Sequence, residues 1–178
     1  MLLVNLRKGL NVRRFHTEPL IREDTNGHHS ANVAALVLWL MHPTMPSAEL
    51  LRACVLHDVA EYETGDMPAQ MKWDNPLFHR ELHKTEEALW QEVKWDSPTS
   101  PLSSDELNIL KFCDSMDCGL KVIEEARMGN TILIDILHRI LLKIEDALAS
   151  CPLDSQFQPR ANKLVAACWE QYHDFNRK

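Results

Sequence analysis

Glycine is scarce, five in 178 residues, and none of the five falls into a G-x-G-x-x-G or phosphate-loop pattern. That removes the nucleotide-binding classes whose backbones need glycine to approach a phosphate. Long apolar runs are also missing. None nears the roughly 18 residues that read as a membrane-spanning helix, and "MLLVNLRKGL" has too short an apolar stretch and the wrong charge order for a secretory signal. A cytoplasmic protein without a membrane partner is the expectation. Basic charge is in deficit, 19 Lys and Arg against 26 Asp and Glu for a net −7, which excludes a broad basic face for a nucleic acid polymer. The five cysteines, 54, 113, 118, 151 and 168, form no C-x-x-C and are odd in number. All but Cys151 sit in apolar helical patterns, so buried reduced thiols are expected rather than disulfides or ligands.

What is present is helix after helix. Few windows alternate as a strand would, and there is no internal repeat or low-complexity tract. A run from about His29 carries Val33, Leu36, Val37 and Leu40 and stops at "HPTMP". Ser47 offers an N-cap for a helix expected to hold His57 and Asp58 and to close at Gly65. "PLFHRELHKTEEALWQEVKW" reads as another helix, with Phe78, Leu82, Leu89 and Val93 inward. "DSPTSP" breaks the chain, and "SSDE" fits a capping box that opens a long helix through Ile109, Phe112, Met116, Leu120 and Ile123 as far as "MGN". Ile132 to Leu148 is strongly periodic, and "CPLDSQFQP" separates it from a last helix through Leu164, Val165, Cys168 and Tyr172. The expected fold is one all-α domain over residues 1–178, with 45% hydrophobic and 25% charged residues.

One stretch breaks its own pattern. "LLRACVLHDVAEYETGD" repeats apolar residues through Leu51, Cys54 and Val55, then places Asp58 on the same stripe beside His57, with Glu61 and Asp66 following. Aspartate goes inside only with a partner. Either the helix end is exposed or these groups share a cation, since imidazole nitrogen and carboxylate oxygen together suit zinc, manganese, iron or cobalt. On one helix Glu61 would project to the same side as His57 and Asp58. Further ligands must come from elsewhere, and His29 in "NGHHSANVAALV" and Asp114 in "LKFCDSMDCG" are the candidates, with Asp117 as rival to Asp114. Near the N-terminus, "LRKGLNVRRFH" gathers Arg7, Lys8, Arg13, Arg14 and His16, which alone would read as a solvated basic face.

The blocks "HHS", "LLRACVLHDVAEYETGD" and "LKFCDSMDCGLKVIEEARMGN" resemble the histidine–aspartate (HD) superfamily of phosphohydrolases, in the branch of bacterial 5′-deoxynucleotidases and phage dATP triphosphohydrolases. The resemblance runs from about Asn11 to Asn130, and the last two helices carry no motif. It implies an HD helical bundle with the metal site between central helices, ligated by His29, His57, Asp58 and Asp114. It makes Glu61 and Asp66 the acids that act on the attacking water or the leaving oxygen. Arg14 becomes a phosphate contact, Phe15 a stacking residue where tryptophan is usual, and Lys72 and Lys111 further phosphate contacts. His28 stands where Glu or Gln is common, and is read as an ordinary helix-start residue. The cofactor implied is a divalent metal (zinc, cobalt, manganese or magnesium), with a second ion beside the phosphate tail left open.

A small-molecule deoxynucleotide is the implied substrate. The favoured activity is that of a phage dATP triphosphohydrolase releasing deoxyadenosine and tripolyphosphate in the host cytoplasm, because Arg14, Lys72 and Lys111 exceed what one phosphate needs. The alternatives are a 5′-deoxynucleotidase acting on monophosphates and a non-catalytic HD nucleotide-binding module, the latter disfavoured by the presence of Glu61 and Asp66. A closed structural zinc site is disfavoured because the set has no cysteine. Family members associate, so a homo-oligomer is implied; the Ile132–Leu148 stripe could serve that or a core.

Overall fold

The computed structural model describes residues 2–152 and 156–177, so the middle of the "CPLDSQFQP" breaker lies outside the described residues. Among the described residues the elements are helical: α1 (Leu2–Leu10), α2 (Asn26–Met41), α3 (Ala48–Leu56), α4 (Glu61–Thr64), α5 (Ala69–Asp74), α6 (Pro76–Glu92), α7 (Ser104–Arg127), a 3₁₀ turn (Thr131–Leu133), α8 (Ile134–Ala149) and α9 (Phe157–Phe175). The one extended pairing described is an isolated antiparallel bridge between Arg13 and Thr25.

Side-chain caps set the starts of three helices, α2, α3 and α7. Thr25 caps α2 by accepting from His28 N, which starts that helix a turn before the expected His29. Ser47 caps α3, and Ser103 with Glu106 forms the expected capping box of α7. The Ser47 hydroxyl also donates to Glu106, which ties the starts of α3 and α7 together. Helix α6 ends at Glu92 rather than Trp95, and Lys94 follows with a left-handed backbone.

The long α7 packs against α2, α3, α8 and α9. Between them lies the main core, with Leu40, Leu50, Phe112, Met116, Leu137, Leu141, Ile144 and Phe157 fully buried, each adding about 1.5–3 kcal/mol over an exposed position. The apolar stripe of α8 is spent on this core. In α3 the buried residues are Leu50, Ala53 and Cys54, while Val55 is exposed; the stripe is turned by about one residue from the expected Leu51, Cys54 and Val55. A smaller cluster of Val59, Ala60 and Trp90 closes against Leu6, Leu10 and Leu56.

The helix expected to carry both His57 and Asp58 is not continuous. Helix α3 stops at Leu56, the chain turns through His57–Ala60, and α4 restarts at Glu61 and ends at Gly65 with φ 73°. Helix α1 fixes this turn. A Cβ on Gly9 would stand 2.3 Å from Val59 O, so only glycine lets the two backbones meet.

The arm between α1 and α2 is pinned at both ends. Asn26 N donates to Val12 O and Arg14 N to Asp24 O. At its middle, buried Glu125 accepts from Ile21 N (2.7 Å), Arg22 N, Asn130 Nδ2 and Lys121 Nζ (3.0 Å each), and Asn130 Nδ2 also donates to Pro19 O. Burial opposes ionisation of Glu125, but the donors outweigh it and bring its pKa from 4.5 to about 2. This carboxylate therefore adds stability above about pH 4.5, lost as the pH falls toward 2. Glu125→Gln should cost about 2–3 kcal/mol at pH 7 and flatten the acid decline of the melting temperature below pH 4.5. An unchanged melting temperature at pH 7 would contradict the clamp.

Candidate metal centre and cavity

Three segments bring the four expected ligands together. His29 comes from the first turn of α2, His57 and Asp58 from the turn after α3, and Asp114 from mid-α7. His29 Nε2 lies 3.0 Å from Asp114 Oδ1 and 3.7 Å from Asp58 Oδ2, and His57 Nε2 lies 3.4 Å from the same Asp58 oxygen. The two rings are 5.4 Å apart.

Each imidazole is oriented through its other nitrogen. His29 Nδ1 is 2.7 Å from Oδ2 of buried Asp117. Asp117, the rival for the fourth ligand, thus stands behind the ligand histidine, in the position that fixes tautomer and ring plane at metal sites. His57 Nδ1 faces the carbonyls of Ala53 (3.2 Å) and Cys54 (3.1 Å) in the last turn of α3, and Ala53 O also accepts the His57 backbone N–H. These contacts to the last turn of α3 leave His57 Nε2 on the Asp58 side.

Both Nε2 atoms are buried and without a hydrogen-bond partner; the His29–Asp114 pair is close but not aligned for one. An orphaned buried nitrogen costs about 1–3 kcal/mol unless something occupies its lone pair. Two such nitrogens beside two carboxylates fit a divalent cation with open positions. His57 and Arg14 hold the Asp58 pKa down against burial, and His29 does the same for Asp114. Burial and Arg14 disfavour a charge on His29, but Asp114 and Asp117 prevail and push its pKa up to about 9. A field that holds a proton there attracts a cation.

Beside this cluster opens a cavity of about 230 Å³. Arg14, Phe15, Asp66, Lys72, Asp114 and Cys118 line it. Arg14 is buried, not part of a solvated basic face; Nη1 donates to Asp58 at 2.7 Å and Nη2 to Cys118 Sγ at 3.2 Å. Phe15 has φ 50°, a strained conformation for a bulky residue, and Asp66 holds it by accepting from its backbone N at 3.1 Å. Glu61 is buried, accepts from Asn26 Nδ2 at 2.8 Å and lies 3.7 Å from Lys72 Nζ. Burial first, then the neighbouring Asp58, pushes its pKa up to about 9.

Not everything expected converges. Lys111 is exposed and does not line the cavity, whereas Lys143 and His79 do. His28 is exposed at the helix start. Cys118 is partly buried against the core and also walls the cavity, its pKa pushed up to about 12 by burial; Cys151, outside the apolar patterns, is buried. Residue type alone does not mark Asn26 and Asp117 as partners of Glu61 and His29. Their signal was spacing, since Asn26 precedes His29 by three residues and Asp117 follows Asp114 by three.

The sequence pattern described as 5′-deoxynucleotidase YfbR-like matches residues 3–154. This chain belongs to that family. Curated relatives include a 5′-deoxynucleotidase of Photobacterium profundum, 33% identical over 88 residues covering 43% of this chain and 45% of that protein. Another, from Vibrio vulnificus, is 33% identical over 86 residues covering 42% and 44%. The matched part thus spans under half the length of these relatives. Among solved structures, the cyanophage S-2L HD phosphohydrolase (DatZ), bound to dA and one catalytic Zn²⁺ ion, superposes with a TM-score of 0.67 over 98% of this chain and 96% of its own, at 16% identity. The fold is the HD-domain fold.

Asp58→Ala removes a carboxylate that both imidazoles and Arg14 face. It should abolish retention of a divalent ion through dialysis, measured by elemental analysis, with the helical content unchanged. Stoichiometric ion in the variant would exclude Asp58 as a ligand.

Proposed function

We propose that the chain is a divalent-metal-dependent phosphohydrolase that cleaves the 5′-phosphoester of deoxynucleotides, acting as a single domain over residues 1–178. The observation that carries this is the pair of partnerless Nε2 atoms, facing Asp58 and Asp114 at the edge of a cavity that Arg14 and Lys72 line. His29, His57, Asp58 and Asp114 would hold the ion. An ion there supplies positive charge opposite the reacting phosphate and brings the pKa of a water into the neutral range.

The other roles belong to the chain's own side chains. Arg14, fixed by the pinned arm, and Lys72 bind the phosphate and offset charge on its oxygens. Glu61 is a proton carrier. Its Oε2 is committed to Asn26, which leaves Oε1, on the Lys72 side, to hold or take up a proton during attack. Asp66 keeps Phe15 in place through one oxygen, and its second is available to the departing 5′-oxygen. The apolar wall of Trp73, Ile136 and Ile140, with Phe15, takes the nucleoside.

The family description and the two cations nearest the ligands favour a deoxynucleoside monophosphate, giving nucleoside and phosphate. A second reading, hydrolysis of dATP to deoxyadenosine and tripolyphosphate, loses Lys111 as support because that residue is off the cavity. It gains Lys143, which extends the cationic lining beyond Arg14 and Lys72. The dA bound by the cyanophage protein fits either reading. Incubating the ion-loaded enzyme with dAMP and dATP and weighing the products by mass spectrometry separates them. Orthophosphate from dAMP supports the first, tripolyphosphate from dATP the second, and no release from any deoxynucleotide contradicts both.

Glu61→Gln keeps the buried shape and the Asn26 contact but cannot carry the proton. It should lower kcat by about 10²–10⁴-fold with the ion still bound. Wild-type turnover would remove Glu61 from the chemistry.

A further inference from the structure

Cys118 stands one helical turn after Asp114 on α7, and both line the cavity. Its thiol belongs to no role in the reaction above. Yet Cys118, Asp114 and His29 each offer a ligand atom, and the three atoms lie within 4.8 Å of one another. Donors bound to one tetrahedral ion at about 2.0–2.3 Å stand about 3.5 Å apart, so small side-chain rotations would close this set. The His29 nitrogen in it is fully buried and has no hydrogen-bond partner, which makes the group more than a cysteine beside an acid.

The same His29 atom is also within reach of His57 and Asp58 in a second triplet. One nitrogen cannot serve two ions. The two triplets therefore describe alternative positions for a cation, one rich in nitrogen and oxygen, the other containing sulfur. Ligand softness decides between them, because thiolate selects thiophilic ions.

We propose that His29, Asp114 and Cys118 form a second, mutually exclusive cation site that captures soft divalent ions and thereby inhibits the enzyme. This rests on His29 and Asp114 facing a shared ion, as in the functional reading above. On binding, the thiol proton passes to solvent and a metal–sulfur bond forms. Arg14 loses its Cys118 acceptor, so the phosphate-binding guanidinium is disturbed in the same event.

Cadmium is the probe. Titrated into the full chain, it should produce an ultraviolet thiolate-to-metal charge-transfer band that saturates at one equivalent. Cys118→Ser and Cys118→Ala should lack the band and need at least tenfold more cadmium for half-inhibition. His57→Ala removes a ligand of the nitrogen–oxygen set only, so it should lose hydrolysis yet keep the band. A wild-type protein without the band, or one whose band survives in Cys118→Ser, overturns the proposal. If His57→Ala keeps full hydrolysis, the functional reading fails while the band still reports on Cys118.

Discussion

The structure depends on keeping two imidazole nitrogens dry and unpaired within reach of the same carboxylates. Such an arrangement is unstable in isolation, because buried nitrogen wants a partner and adjacent carboxylates repel. It persists because each member is held from behind. Asp117 grips His29, the carbonyls of Ala53 and Cys54 in the last turn of α3 grip His57, Arg14 bridges to Asp58, and the core packing of α7 fixes Asp114. The arm, α3 and α7 thus each contribute a restraint to a cluster whose donor set fits an ion.

The supports lie far from the cluster. Glu125 clamps the arm that delivers Arg14, and Gly9 lets α1 press on the turn that presents His57 and Asp58. Strain at Phe15 sits beside the buried Arg14 guanidinium, and Asp66 holds it. This fits the general pattern in which backbone strain gathers at functional positions and is stabilised by surrounding bonds.

Much of this was legible in the sequence because function broke local rules. Asp58 on an apolar stripe, and Asp114 among Phe112, Cys113 and Met116, are acids where packing alone would put hydrophobes, and the four expected ligands do converge. The capping residues Ser47 and Ser103 marked their helices correctly. The break at His57–Ala60 was not legible, since that segment has no glycine or proline and its helical periodicity runs on; contact with α1 imposes the turn. Lys111 was misplaced for a related reason. Spacing of three from Asp114 gives the same helix face but not the same depth along the axis, and the cavity ends before it. Lys143 is not legible as a cavity residue because the apolar stripe dominates the α8 sequence pattern.

The most direct test is diffraction from crystals grown with zinc, with an anomalous map collected at the zinc edge. The account predicts a peak about 2.0–2.2 Å from His29 Nε2 and His57 Nε2 and from oxygens of Asp58 and Asp114. A strong peak elsewhere, with both Nε2 atoms left without a ligand, would contradict it.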